Sequence, residues 1–450
     1  MKERTLNMTE GSPIRLLLVF ALPLMLGNIF QQLYTVTDTA IIGKGVGING
    51  LAALGSVDWL TWTLFSLSFG FTQGFSVMVS QKYGEKDYDG LRKMVGQSAF
   101  ITLVISLSAT VVSISLVPSL LKLIKVPEAL VPMASLYEYI LFGGFAISMF
   151  YNFTSAMLRA VGDSRTPLIA MVISSVINIL LDSLAVFVLR WGIAGAAGAT
   201  VFSQLVAGIF CFRKMWRQQE LRFRRSDLKP HLPSIMALLK LGIPMALMNL
   251  IISIGGTFVQ SVVNGFSIAF IAGYTATNKM YGLLEIAAIS FASAVTTYVG
   301  QNYGAKQHLR IRKGVVSAVH LSAATSAVIG TLMILFGRYI IRLFLSTDDP
   351  AIFDAAEKAA YEFLVLMSLF LPVLYLLYTY RAALQGIGKT VPVMISGIIE
   401  FFFRVGAAMI VAVRGPESGV FWAEVTAWAG AAIFNCVMYY IYRRKMLTVE

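Results

Sequence analysis

Charge is scarce in this chain. Only 13% of its 450 residues are Asp, Glu, Lys or Arg, while 57% are apolar. A soluble domain carries about twice that share of charge. A soluble enzyme, a disordered chain and a coiled coil are thereby excluded. Cysteine is nearly missing: Cys211 and Cys436 both lie inside apolar runs, so neither a disulfide framework nor a thiolate metal site follows. The alternation of apolar and polar residues that marks a membrane barrel is missing too, since runs such as 16–29 and 101–117 are continuous. Residues 1–11 lack the layout of a cleavable leader, so the first apolar run is expected to remain as a helix. No His-Glu-x-x-His or Gly-x-Gly-Asp motif of an intramembrane enzyme occurs.

What is abundant is apolar sequence in helix-length blocks. Spans are expected at 13–43, 51–80, 93–117, 131–157, 166–189, 193–216, 235–264, 270–300, 313–336, 354–384, 390–412 and 416–442, each long enough for a bilayer of about 30 Å. The fold class is therefore an all-α integral membrane protein with twelve transmembrane helices. Net charge is +13, and its distribution explains it without nucleic acid. Of the Lys and Arg residues, 26 fall on one side of the expected membrane and 8 on the other. Basic residues collect in cytoplasmic loops, so both termini are expected in the cytoplasm.

The chain repeats itself. Ala21-Leu22-Pro23 returns as Gly242-Ile243-Pro244, Ser80-Gln81-Lys82-Tyr83-Gly84 as Gly300-Gln301-Asn302-Tyr303-Gly304, and Arg159-Ala160-Val161-Gly162 as Gln385-Gly386-Ile387-Gly388. The offset stays near 220–226. This predicts two six-helix lobes, 1–212 and 235–450, joined by a basic cytoplasmic linker at 213–234. With six helices per repeat, the lobes should be related by a pseudo-twofold along the membrane normal, as in secondary transporters. Gly386-Ile387-Gly388-Lys389-Thr390 resembles the end of a phosphate-binding loop, but Ala383 stands where a Gly is needed and no strand precedes it. No nucleotide is expected.

Ionisable residues at membrane depth are costly and are candidates for function. Counting residues from the expected span ends places Asp38, Tyr137, Asp182 and Thr200 in one layer, within about 3 Å at 1.5 Å per residue. Asn178 is one turn before Asp182 on the same face. Two carboxylates, an amide, a phenol and a hydroxyl from four helices could hold Na⁺, with Asp38, Asn178, Asp182 and Thr200 as its oxygen ligands. Two adjacent carboxylates also suit a proton carrier. The repeat puts Phe258 or Val259 and Ala407 or Ala408 at the corresponding positions, so the cation site is expected in the first half alone.

Elsewhere, Glu400 and Arg404 have the spacing of an intrahelical ion pair. Lys279 is expected inside a span, and Glu285 is a candidate for contact with a charged substrate. Asp58, Glu138 and Glu424 read as near-surface or structural groups, and His320, alone in span nine, as structural. Pro23 interrupts span one, where it either fixes a kink or serves as a hinge.

These features together resemble the multidrug and toxic compound extrusion (MATE) family. The carriers are Pro23 with Asp38-Thr39-Ala40, Leu51-Ala52-Ala53-Leu54-Gly55, Arg159-Ala160-Val161-Gly162-Asp163-Ser164, Asn178-Ile179-Leu180-Leu181-Asp182, Gly195-Ala196-Ala197-Gly198-Ala199-Thr200 and Val299-Gly300-Gln301-Asn302-Tyr303-Gly304-Ala305. The resemblance implies two bundles that alternate access. It implies a cation site at Asp38, Tyr137, Asn178, Asp182 and Thr200, and substrate contacts at Gln31, Ser148 and Asn152. A second cation site in the other half is doubtful, since span seven has no carboxylate and span ten has Glu362 only near its start.

The expected protein is not an enzyme. It is an H⁺- or Na⁺-coupled antiporter that exports cationic or amphipathic organic compounds. It should work without a cofactor, as a monomer in the inner membrane of a prokaryote. The alternative is a flippase of the same superfamily for a lipid-linked or polysaccharide precursor, whose cavities carry more cationic groups. A major-facilitator transporter is disfavoured because 81–93 lacks its Gly-x-x-x-Asp-Arg-x-Gly-Arg motif.

Overall fold

The computed structural model describes residues 5–344 and 350–447. Their regular structure is helical throughout. In chain order the helices are α1 (Pro13–Gly45), α2 (Ile48–Gly84), α3 (Tyr88–Leu123), α4 (Val131–Gly143), α5 (Phe145–Ala160), α6 (Arg165–Ser183), α7 (Gly192–Arg217), α8 (Leu232–Val263), α9 (Ile268–Gly304), α10 (His308–Phe344), α11 (Pro350–Gly386), α12 (Thr390–Arg414) and α13 (Phe421–Leu447). Ten of these elements are each long and apolar enough to cross a bilayer. The pair α4 and α5, bent by 44°, adds an eleventh. The 37-residue α2 supplies the remaining long element; glycine, serine and threonine dilute its apolar character.

The fourth expected span is thus broken in two. The break falls at Gly143-Gly144, where Val201 of α7 presses so close that a Cβ on Gly144 would lie 2.4 Å from its side chain. The fifth is altered near its end: after Ser183 the helix widens into a π-turn, Leu184–Val188, in which the Leu189 N–H donates to the Leu184 carbonyl at 2.9 Å. π-turns inside helices are concentrated at functional sites, and this one follows Asp182 directly.

The chain divides into two compact units. The first comprises 1–7 and 22–246, the second 8–21 and 247–450. The divisions fall inside α1 and α8 rather than in the 213–234 linker. In each helix the change of unit is within three residues of a proline, Pro23 and Pro244. The linker is built into the first unit. The Gln97 side chain of α3 donates to the carbonyls of Asp227 and Lys229 at 2.6 and 2.7 Å and accepts from the His231 N–H at 2.9 Å.

In the first unit, α2, α3, α5 and α7 enclose Phe75, Val95, Phe153, Met157, Ala207 and Met215. In the second, α9, α11 and α13 meet through aromatic rings. Tyr274 stacks on Phe363 at 5.0 Å and Phe363 on Phe421 at 4.6 Å, contacts worth about 0.5–1.5 kcal/mol each beyond burial. Leu103, Val104, Leu107, Val111 and Val112 of α3 all stand exposed. Such a face would be an aggregation hazard in water, and in a bilayer it is the lipid surface.

The sequence repeat is repeated in backbone geometry. After α2, the Lys86 N–H donates to Tyr83 O and the Asp87 N–H to Lys82 O. After α9, the Lys306 N–H donates to Tyr303 O and the Gln307 N–H to Asn302 O. Both are Schellman helix ends, and Lys86 and Lys306 occupy the left-handed position at φ 58° and 57°. The same closure follows α5 and α11, where Gly162 and Gly388 hold that place at φ 93° and 77°.

Candidate functional site

Two glycines bring α1 against α6. A Cβ on Gly27 would lie 2.8 Å from the Met171 sulfur, and one on Gly45 would lie 2.2 Å from Val186 in the π-turn. Asp38 stands between these contacts, and its carboxyl meets that of Asp182 within hydrogen-bonding distance. Two ionised carboxylates have no proton to share, so Asp38 Oδ1 and both Asp182 oxygens are buried without a donor. One proton placed between them would complete a hydrogen bond.

Asp182 is fully buried and Asn178 is 1% exposed. The Asn178 amide donates to Thr200 Oγ1 of α7 at 3.3 Å. Its carbonyl oxygen, Oδ1, is buried and also without a donor. Tyr137 of α4 is within electrostatic reach of Asp38. Tyr34, absent from the expected set, is within reach of both carboxylates. Its signal was present in the spacing: Tyr34 is one turn before Asp38 and so shares its face. The layer expected from depth counting is therefore brought together by α1, α4, α6 and α7. Donorless oxygens of Asp38, Asn178 and Asp182 suit a hard cation. Among the described residues, no three His, Cys, Asp or Glu side chains form a metal-binding group.

The expected substrate-contact residues are disposed differently. Gln31 is exposed on α1. Ser148 is buried and its hydroxyl donates to Gln204 of α7. The Asn152 amide donates to Ser68 of α2 at 3.2 Å. Ser148 and Asn152 thus tie α5 to its neighbours. Glu285 belongs to the second unit, where the hydroxyls of Tyr281 and Tyr378 donate to its Oε1.

Three expectations about charges are corrected. Glu400 and Arg404 do not pair with each other. Glu400 of α12 binds Arg381 of α11, and Arg404 binds Glu424 of α13 at 2.8 Å. An intrahelical pair would leave Arg381 and Glu424 without compensation, and a buried charge stripped of its partner costs about 3–5 kcal/mol. Arg381, one of the 26 basic residues counted on the cytoplasmic side, is only 5% exposed, because α11 continues to Gly386. Lys279 is not buried but exposed, and so is His320. Glu424 is the structural group expected.

The MatE family model matches residues 23–184 and 244–410, once in each half of the chain. The probable multidrug resistance protein YpnP of Bacillus subtilis (strain 168) is 29% identical over 426 residues, covering 94% of this chain and 91% of its own. The probable multidrug resistance protein NorM of Thermotoga maritima is 28% identical over 432 residues, covering 92% and 88%. Among solved structures, a crystal structure of MATE in complex with MaL6 superposes with a TM-score of 0.92 over 99% of this chain and 100% of that one, at 23% identity. The family match, present in both halves and spanning the donorless carboxyls of α1 and α6, establishes that the chain belongs to the MatE family.

Proposed function

We propose that this membrane transporter is a cation-coupled antiporter that exports drug-like organic compounds by alternating access. The observation that carries the reading is the meeting of Asp38 and Asp182, with four buried oxygens there and on Asn178 lacking any donor. A buried polar atom without a partner costs about 1–3 kcal/mol, so the site gains when a proton or a monovalent cation binds. The relatives named as multidrug resistance proteins support drug efflux as the task. Gln31, exposed on α1 two turns before Asp38, is the polar group of this face that a substrate would meet. A cation bound at Asp38 then changes the charge of the helix that touches substrate, which supplies the difference in affinity that coupling requires.

Pro23 serves as the hinge in this scheme. It cannot donate the backbone bond that would hold α1 straight, and it follows the point where α1 leaves one unit for the other. Both termini lie in the cytoplasm of a prokaryotic cell, and the protein acts as a monomer. The flippase reading is less favoured because Arg381 and Arg404 are each engaged by a glutamate, which neutralises charge that an anionic lipid precursor would require.

The test is efflux of a fluorescent organic cation from sealed vesicles under a pH gradient and, separately, a Na⁺ gradient. Efflux under one gradient, lost in Asp38→Asn, is expected. Efflux that ignores both gradients refutes coupling.

A further inference from the structure

Glu138 lies next to Tyr137 on α4, and its carboxyl meets Thr61 of α2 rather than Asp38 and Asp182. Its side chain is fully buried. One carboxylate oxygen, Oε1, accepts from the Thr61 hydroxyl of α2. The other, Oε2, is enclosed by protein and has no donor. The helices packed around it are largely apolar here. Val117 and Leu121 come from α3, and Ile193 and Ala197 from α7. Asp58 of α2 is the carboxylate that acts on Glu138 from nearby.

Thr61 makes two protonation states of Glu138 workable. Its oxygen also lies 3.2 Å from the Val57 carbonyl. One hydroxyl proton serves one acceptor well. With Glu138 ionised, Thr61 donates to it and Oε2 stays unmet. With Glu138 protonated, the carboxyl O–H donates to Thr61 Oγ1, and Thr61 turns its own proton to Val57 O. The added proton thus leaves both hydroxyl groups donating and makes Oε2 a neutral carbonyl oxygen, which is cheaper to bury unmet than an ionised carboxylate. A sodium ion would find too few oxygens, since hard cations need a shell of several.

We infer that Glu138 is a proton-binding site of its own, separate from Asp38–Asp182. Its role in transport rests on the cation-coupled reading above; its existence as a proton site does not.

Infrared difference spectra of the purified protein, titrated from acid to alkaline pH, separate the two. The protonated carboxyl band of Glu138 should be present in the wild type and in Asp38→Asn and lost in Glu138→Gln. Thr61→Val, which keeps the volume and removes the hydroxyl, should shift both the band and its midpoint. In vesicles, Glu138→Gln, whose amide can still meet Thr61, should displace the pH profile of efflux by about one unit, a tenfold change in proton concentration. No protonated Glu138 band at any pH overturns the inference; an efflux pH profile of Glu138→Gln identical to wild type overturns its role in transport and leaves the proton site standing. A Glu138 band that titrates normally in an Asp38→Asn protein with undiminished efflux would instead refute the coupling role of Asp38 and leave the Glu138 site standing.

Discussion

Asp38 and Asp182 meet carboxyl to carboxyl across α1 and α6, and a hydrogen bond joins them only while one proton is present. Asp38→Asn and Asp182→Asn each supply a permanent amide donor to the remaining carboxylate. Both variants should fold and insert like the wild type, yet efflux should fall to background. Substrate affinity in the wild type should drop as the coupling cation rises, by the 5- to 150-fold that about 1–3 kcal/mol of coupling provides. The Asn variants should lose that dependence. Titration of purified protein at several pH values and Na⁺ concentrations measures it; an invariant wild-type affinity would contradict the coupling.

Arg404 and Glu424 tie α12 to α13 in a buried pair at 2.8 Å. Arg404→Met alone strands the glutamate and should cost about 3–5 kcal/mol. Arg404→Met with Glu424→Leu should recover most of that loss. Thermal unfolding of the three proteins in detergent decides it. Equal melting temperatures for the single and double variants would mean that the charge pairing is not what stabilises this contact.

Asp87 caps α3, accepting from the Gly90 N–H at 2.9 Å and from Lys82. These donors, the backbone N–H first, hold its carboxyl below the usual range near 3.9. A depressed folded value means stability that is present above about pH 4 and lost as pH falls through the folded value. Asp87→Ala should cost about 1 kcal/mol at neutral pH. The gap to wild type should begin to narrow as pH falls below about 4 and vanish below the folded value. A gap that does not narrow at all on acidification would assign the loss to packing instead.

Lys86 and Lys306 are side-chain-bearing residues at a left-handed helix end that favours glycine. Left-handed backbone costs about 1–2 kcal/mol at an ordinary residue, and glycine returns part of that gain as chain entropy. Lys306→Gly should therefore stabilise modestly, by under about 1 kcal/mol. Gly162→Ala should destabilise, because its Cβ would lie 2.2 Å from the Leu6 carbonyl oxygen. Melting temperatures moving the opposite way would disprove the strain assignment.

Met8 is clasped within the second unit. Its N–H donates to Gln301, and its carbonyl accepts from Asn302 at 2.9 Å and from Arg310. Arg310→Ala should leave the helices intact but raise the rate of protease cleavage at residues 5–12 several-fold. An unchanged cleavage rate would show that Gln301 and Asn302 hold the segment without it.

Much of this was legible in the chain itself. Continuous apolar runs dictate helices, since no other open structure satisfies backbone groups in lipid. The offset near 220 fixed the repeat, down to the paired helix ends at Lys86 and Lys306. Depth counting placed Asp38, Tyr137, Asp182 and Thr200 at one level, because rise per residue is constant along a helix, and spacing put Asn178 on the face of Asp182. Direction around a helix and contact between helices are not encoded so simply. Tertiary packing decided that Gly27 and Gly45 let α1 lie against α6, and so that the two carboxyls touch. Packing also separated Glu400 from Arg404, because neighbouring helices bring Arg381 and Glu424 to them as buried charges that need partners. It placed Glu138 in an apolar enclosure where residue counting suggested the surface. Sequence spacing sets which residues share a level or a face, while the approach of neighbouring helices, set by side-chain volume, determines which of them meet.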